Sequence, residues 1–156
     1  MKPVQQRYHR GREIDGVPGD CFRACIASIL ELPLSAVPHF SLEVEFGGQT
    51  YNRWVMVDEF LASHNLLRCV VFHKLLNIEA LFHTMSNWAP SRSDFYYILD
   101  GESSTPGLLH SVVASRSRIR HNPSPTATII GPGDFGYSDK HFRVHIFMPL
   151  DAISAL

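Results

Sequence analysis

The chain has 156 residues, of which 45% are hydrophobic and 19% charged, and its formal net charge is -1. This length and composition predict one globular domain with a substantial core. A charge near zero gives no electrostatic reason to expect binding to nucleic acid or to an anionic membrane. The first residues lack the apolar stretch of a signal peptide, and no apolar run approaches the roughly 20 residues that span a bilayer. We therefore expect a cytoplasmic protein without a membrane span.

Three cysteines are an odd and small number for a protein in a reducing compartment. A disulfide framework is therefore not expected, whereas at least one free thiol is. The sequence offers no organic cofactor motif and no typical set of zinc-ligand spacings, so we predict neither a cofactor nor a metal. It leaves the oligomeric state open.

The N-terminal third is predicted to be helical after a polar start. Residues 1–19 predict an extended arm without a core element, within a single domain that covers residues 1–156. Apolar residues then recur at helical spacing until Pro33, and Asp20 precedes them as a predicted N-cap. The elements predicted next are a short turn at 34–37, a loop at 46–49 and a second helix at 51–63.

The remainder of the chain is predicted to form mainly strands. The pattern predicts a buried strand at 67–72, a short helix at 78–85 and further strands at 95–99, 110–115, 118–121 and 142–148. Asp100 and Gly101 are predicted to close the strand at 95–99, and residues 131–139 to form a glycine-rich loop. Helices followed by strands favour an α+β fold with a mostly antiparallel sheet.

Cys21 and Cys25 lie one helical turn apart at the start of the first predicted helix. Unpaired backbone N–H groups and the positive end of the helix dipole favour a thiolate at Cys21, so we predict a lowered pKa for it. Cys25 falls within the apolar positions, and we expect it to be buried and neutral. Cys21 has three interpretations, as a structural thiol, a metal ligand or a nucleophile, and the metal is disfavoured because no second ligand pair follows.

A cysteine nucleophile needs a base, and His110 is the candidate that the pattern provides. His110 opens an apolar strand, and Asn122 follows the strand that returns antiparallel to it. An odd loop centred on Arg116 places the two residues directly opposite each other, whereas a two-residue loop makes them diagonal neighbours. In either register Asn122 can accept a hydrogen bond from the imidazole and orient it.

The chain order of Cys21, His110 and Asn122 resembles that of the papain-like cysteine peptidase superfamily. More narrowly, the segments GDCFRACIASILELPLSAVPHF and HSVVASRSRIRHNPSP look like those of short bacterial and phage proteins. These proteins have a papain-like or bacteriocin-leader-peptidase-like fold, and the resemblance covers most of the chain. It implies a helix that bears the cysteine and packs on a mostly antiparallel sheet.

The resemblance also implies a role for each site residue. Cys21 would attack an acyl carbonyl, His110 would take up and return the proton, and Asn122 would hold the imidazole. The backbone N–H of Cys21 and a glutamine side chain would stabilise the oxyanion. Gln5 and Gln6 are the available glutamines, and Gln6 is preferred.

The activity implied is that of a cysteine-dependent hydrolase, or thiol protease, which cleaves peptide or isopeptide bonds in a protein or peptide substrate. Two alternatives are an amidase or acyltransferase with the same triad, and a non-catalytic papain-like module that binds a host protein. The loops at 40–49 and 131–139 are expected to form the cleft walls, with Phe135 contributing to substrate choice.

Overall fold

The computed structural model describes residues 1–8, 19–40, 45–46, 49–50, 52–75, 77–88, 95–105 and 107–152. Its α-helices are α1 (Cys21–Leu30), α2 (Arg53–Ala62) and α3 (Ile78–Trp88), and short 3-10 helices occur at Leu34–Ala36 and Leu150–Ala152. Its strands are β1 (Glu45–Phe46), β2 (Gln49–Thr50), β3 (Leu66–His73), β4 (Tyr97–Ser103), β5 (Leu109–Ser115), β6 (Arg118–His121), β7 (Ile129–Gly131) and β8 (Phe142–Pro149). The predicted α+β class is therefore confirmed.

An antiparallel sheet of six strands forms the centre of the structure. Its strands follow the order β3, β8, β4, β5 and β6, and β7 pairs with the end of β4. Successive strand residues point to opposite faces. Ile98 and Val113 therefore pack with α1 and α2 on one face, whereas Leu99 and Val112 pack with α3 on the other. The sheet thus separates two hydrophobic cores, and the first core supports the start of α1.

The predicted helices are present, with small differences at their ends. α1 ends three residues before Pro33, where Glu31 adopts a left-handed conformation with φ 58°. α2 begins after Asn52, whose side chain accepts a hydrogen bond from the backbone N–H of Trp54 at 2.9 Å. In the part of the chain that the structure describes, no helix has both the length and the apolar character to cross a bilayer.

Three strand predictions need correction because pairing partners are not visible in a local pattern. The segment predicted as a buried strand forms β3 at the edge of the sheet, so it is only partly buried. The predicted loop at 46–49 contains Phe46 and Gln49, which pair with each other in a two-stranded sheet. The strand predicted to close at residues 100–101 continues to Ser103, because β5 pairs with it as far as Glu102 and β7 pairs with Glu102 and Ser103.

The first eight residues are part of the folded structure, contrary to the prediction of an arm without a core element. Met1 and Val4 pack against the first core. The backbone N–H of Lys2 donates to the carbonyl of Ser28 on α1 at 3.1 Å. The rest of the predicted arm, residues 9–18, lies outside the described residues.

Gly101 provides a test of how tightly β4 and β7 pack. A Cβ atom at Gly101 would lie 2.6 Å from the carbonyl oxygen of Gly131 and 2.7 Å from a methyl carbon of Ile129, whereas one at Gly131 would have no neighbour within 4 Å. We expect Gly101→Ala to lower the free energy of unfolding by about 1–3 kcal/mol, as overpacking does. Gly131→Ala should leave it nearly unchanged. Urea unfolding of both variants measures this, and equal stability of the two would contradict the packing described here.

Candidate active site

The start of α1 is joined to the N-terminal segment by the side chain of Asp20. The backbone carbonyl of Asp20 accepts the first helical hydrogen bond, from Ala24. Its carboxylate does not cap the helix, so that part of the N-cap prediction is wrong. Oδ1 instead accepts hydrogen bonds from the backbone N–H groups of Arg7 and Tyr8 at 3.0 and 2.9 Å. Asp20 is only 2% exposed, and it fixes the segment that carries Gln6 beside the helix start.

His110 and Asn122 meet at the open end of the β5–β6 hairpin. Ser115 pairs with Arg118, so the connection has two residues, and a register shift further along pairs Val113 with His121. The two site residues are therefore diagonal neighbours, which is one of the two predicted registers. Nε2 of His110 lies 2.8 Å from Oδ1 of Asn122, and the predicted hydrogen bond is confirmed.

The surroundings of Asn122 determine the direction of this hydrogen bond. The Nδ2 group of Asn122 donates to the carbonyl of Ala127 at 2.7 Å, and its Oδ1 also accepts from the backbone N–H of Ser124 at 3.0 Å. These bonds assign Oδ1 to the atom that faces His110, so Nε2 of the imidazole is the donor. In neutral His110 the proton is then on Nε2, and Nδ1 is the basic nitrogen.

A small cavity brings three of the four predicted site residues together. Cys21, His110 and Gln6 all line this cavity, which has a volume of about 50 Å³. The other described residues around it are Gly19, Ser103, Thr105, Leu108, Leu109, Ser124, Thr126 and Ala127. Asn122 lies behind His110 and fixes it. Gln5 is exposed, so the preference for Gln6 agrees with the structure.

Gln6 is held on both sides by backbone contacts. Its N–H donates to the carbonyl of Pro123 at 3.0 Å, next to Asn122. Its side-chain Nε2 donates to the carbonyl of Tyr8 at 3.1 Å. The segment folds back between α1 and the end of β6, as the long separation between Gln6 and Cys21 requires.

The prediction of a lowered pKa for Cys21 is wrong. Burial raises the pKa of the Cys21 thiol above 9.0, and the negative charge of Asp100 raises it further. Hydrogen bonds from the side chain and backbone of Ser111 and from the backbone of Phe22 lower the pKa, but they do not outweigh burial. The thiol is therefore protonated at neutral pH although its residue retains partial exposure.

The other two cysteines have structural positions. Cys25 is completely buried in the first core, and burial raises its pKa well above 9.0, as the predicted neutral thiol requires. Cys69 is partly exposed and packs against the second core. Among the described residues, no group of three or more histidine, cysteine, aspartate or glutamate side chains is arranged to hold a metal.

A buried charge cluster next to the cavity was missed by the sequence analysis. Asp100 is only 1% exposed, and its Oδ2 accepts hydrogen bonds from Arg143 Nη2 at 2.6 Å, Arg143 Nε at 2.8 Å and His145 Nε2 at 3.0 Å. The sequence signal was the alternation of Arg143 and His145 in the apolar strand FRVHIFM, which places two polar side chains on one face.

The cluster combines an ionised carboxylate with a neutral imidazole. Burial opposes ionisation of Asp100, but contacts with His145, Arg143 and Ser111 hold the pKa of the carboxyl well below its usual range. Burial lowers the pKa of His145 in spite of Asp100, and the charges of Arg143 and Arg68 lower it as well. Arg68 Nη1 lies 3.4 Å from His145 Nδ1, so a neutral imidazole accepts there and donates through Nε2.

Ser111 connects this cluster to the thiol. It pairs with Asp100 across β4 and β5, so the two side chains share the face on which α1 packs. Hydrogen bonding by its side chain lowers the pKa of Cys21 and also that of Asp100. Ser111 therefore lies between the candidate nucleophile and a buried negative charge.

The predicted cleft walls differ from the residues found around the cavity. None of the described lining residues belongs to the segments 40–49 or 131–139, although residues 41–44 and 47–48 lie outside the described residues. Phe135 instead packs on the Arg143 guanidinium at 4.3 Å and against Phe72 of β3. The described walls come from the connections after β4 and β6, so the expected role of Phe135 is not supported.

Comparison of the chain with protein-family models, with curated proteins and with solved structures found no match. The function is therefore inferred from the residues of the cavity and from their contacts.

The raised pKa of Cys21 predicts its alkylation profile. We expect the rate of reaction with iodoacetamide to rise with a midpoint above pH 9.0, the ordinary value. Ser111→Ala should move this midpoint further up because a hydrogen bond that stabilises the thiolate is lost. Peptide mapping separates Cys21 from the internal controls Cys25 and Cys69. A Cys21 midpoint below pH 9.0 would show that the hydrogen bonds from Ser111 and Phe22 outweigh the effect of burial on the pKa.

The neutral state of His145 predicts a dependence of stability on pH. An unfolded histidine has a pKa of about 6.5 and the folded value is lower, so the unfolded chain binds more protons as the pH falls. The free energy of unfolding should therefore be highest above about pH 6.5 and fall below it. Urea unfolding at pH 7.5 and 5.0 measures this loss of stability. His145→Gln should make the loss smaller, whereas the control variant His83→Gln, which changes an exposed residue of α3, should leave it unchanged. An equal loss in both variants would contradict this assignment.

Proposed function

We propose that this protein is a cysteine-dependent hydrolase that forms a thioester on Cys21. The supporting observation is the hydrogen bond between His110 Nε2 and Asn122 Oδ1, at a cavity that also contains Cys21 and Gln6. Because Nε2 of His110 donates to Asn122, the other ring nitrogen, Nδ1, is the one that can accept a proton from a nucleophile. This arrangement matches the tautomer that a cysteine triad needs.

The raised pKa of Cys21 favours proton transfer during attack over a thiolate formed in advance. The Cys21 sulfur attacks an acyl carbonyl while Nδ1 of His110 takes up the thiol proton. The backbone N–H of Cys21 and the side-chain amide of Gln6 donate to the oxyanion. As the tetrahedral intermediate collapses, His110 gives its proton to the leaving group and the thioester remains.

The second half of the reaction restores the enzyme. Water attacks the thioester carbonyl while His110 accepts one of its protons. Collapse of this second intermediate breaks the carbon–sulfur bond, releases a carboxylic acid and returns the proton to Cys21. An amine in place of water would give acyl transfer by the same steps, as an amidase or acyltransferase requires.

Peptide or isopeptide bonds in a protein or peptide are the proposed substrates, and the cytoplasm is the proposed location. The cavity of about 50 Å³ accommodates a small acyl group and leaves the rest of the substrate outside. Its described wall includes the exposed side chains of Thr105 and Thr126, whose hydroxyl groups can bond to an extended backbone.

A second candidate function is a non-catalytic module that binds a host protein. The observation that favours it is the burial that raises the pKa of Cys21. In that case Cys21 would be a structural thiol at a helix start, and Asn122 would stabilise the loop after β6 through Ser124 and Ala127. Acylation of Cys21 by a small activated ester distinguishes the two functions.

We expect p-nitrophenyl acetate to acetylate Cys21 at pH 7.5, with a burst of p-nitrophenol and a mass increase on the Cys21 peptide. His110→Ala should slow acetylation by about 100-fold or more because the base is lost. This difference should narrow toward pH 10, where hydroxide can generate the thiolate. Gln6→Ala should also slow it by about 100-fold if its amide stabilises the oxyanion.

The matched pair Asn122→Asp and Asn122→Ala tests the orientation of the imidazole. Aspartate retains an acceptor for Nε2 and should preserve most of the burst, whereas alanine should remove most of it. Cys69→Ser is the control thiol variant and should behave as wild type. Absence of acetylation at Cys21 in wild type would overturn the hydrolase and support the binding module.

A further inference from the structure

The tip of the β5–β6 hairpin carries an arginine-rich pocket, apart from the candidate active site, that suggests a ligand. Residues 115–120 read SRSRIR, with three arginines in a chain whose formal net charge is -1. Ser115, Arg116, Ser117, Arg118 and Arg120 line a pocket of about 320 Å³. This volume lies at the lower end of the range of small-molecule sites, about 300–1000 Å³. The described lining contains no acidic side chain.

The guanidinium groups of this pocket have no partner among the residues that the structure describes. Nε of Arg116 is buried and has no hydrogen-bond partner. Within the described ranges, no ion pair or side-chain hydrogen bond engages the guanidinium of Arg116, Arg118 or Arg120. A buried N–H of a charged group without an acceptor is costly, and a bound anion would supply the acceptor.

The hairpin tip is fixed before any ligand binds. The backbone carbonyl of Arg116 accepts a hydrogen bond from the hydroxyl of Tyr97 at 2.9 Å. Tyr97 is fully buried, and burial raises the pKa of its hydroxyl, so this donor stays protonated at neutral pH. Arg116 itself has a φ of 51°, which a non-glycine residue adopts at a cost in strain. The turn therefore holds the Arg116 backbone in one position and keeps the cationic group at the pocket.

We propose that this pocket binds the phosphate group of a small molecule, or inorganic phosphate itself. Guanidinium groups donate paired hydrogen bonds in a plane, and several of them suit a doubly charged tetrahedral anion. The hydroxyls of Ser115 and Ser117 line the same pocket and add neutral donors. The site is separate from the candidate active site, since His110 and Ser115 lie five residues apart along β5, about 16 Å.

The shape and charge of the site favour a small ligand over a nucleic acid. The basic residues are confined to one turn and the short strand after it, and they do not form a stripe along the surface. Binding of a polyanionic backbone depends on many such contacts in succession. The near-neutral charge of the whole chain adds no long-range attraction for a polyanion.

Arg116→Gly is the decisive variant because glycine adopts a left-handed φ without strain. It removes the guanidinium and should leave the urea midpoint equal to that of wild type or higher. Isothermal titration at constant ionic strength would compare inorganic phosphate, glucose 6-phosphate and uncharged glucose. We expect saturable binding of one phosphate-bearing ligand per chain, no binding of glucose, and at least about tenfold weaker binding by Arg116→Gly.

Comparison of the two phosphate ligands shows whether the pocket recognises a phosphorylated small molecule or the phosphate group alone. Tighter binding of glucose 6-phosphate than of phosphate supports a small phosphorylated molecule, and equal binding supports recognition of the phosphate group alone. Arg118→Gln should also weaken binding, whereas Lys2→Gln, which removes an exposed charge elsewhere, should not. A short single-stranded oligonucleotide is titrated in the same way. The proposal is overturned if neither phosphate nor glucose 6-phosphate binds, if Arg116→Gly binds them as wild type does, or if the oligonucleotide alone binds.

Discussion

The buried carboxylate of Asp20 holds together the parts of the chain that form the candidate site. Its backbone starts α1 and its side chain accepts the N–H groups of Arg7 and Tyr8. A carboxylate that accepts backbone N–H bonds in a buried position is strongly bound, because removal of the acceptor leaves several donors unpaired. The Asp20 side chain therefore links the segment that carries Gln6 directly to the start of α1, where Cys21 lies.

Two opposing electrostatic effects act on Cys21. The helix start and the Ser111 hydrogen bonds favour a thiolate, whereas burial and the charge of Asp100 favour a thiol. Burial is the larger effect, because the free-energy cost of removing a thiolate from water exceeds the stabilisation that a helix N-terminus provides. The buried cluster of Asp100, Arg143 and His145 is itself compensated, because Arg143 provides a permanent cation beside the carboxylate. In the proposed reaction, a thiol with a raised pKa depends on His110 to take up its proton at neutral pH.

Local patterns predicted the elements that carry the site, and tertiary contacts account for what they missed. The helical spacing after Asp20 and the alternation around His110 were sufficient to predict α1, the β5–β6 hairpin and the bond to Asn122. The partners of the Asp20 side chain were not predictable, because Arg7 and Tyr8 lie 13 and 12 positions earlier in the chain and no local pattern links them to Asp20. Asp100 was assigned to a turn since Asp-Gly is a common turn pair, and only pairing with β5 and β8 places it inside the sheet. The direction of the Cys21 pKa depends on burial, which a helix pattern does not reveal.

Contacts between the N-terminal segment and the end of β6 determine when this segment can fold during translation. His121 lies 2.8 Å from the carbonyl of Val4, and these residues are 117 positions apart in the sequence. Gln6, likewise, is anchored to Pro123. The N-terminal segment is made first but cannot reach its final place until β6 has left the ribosome. During most of translation Cys21 therefore lacks His110, the proposed base, and an anchored Gln6, the proposed oxyanion donor.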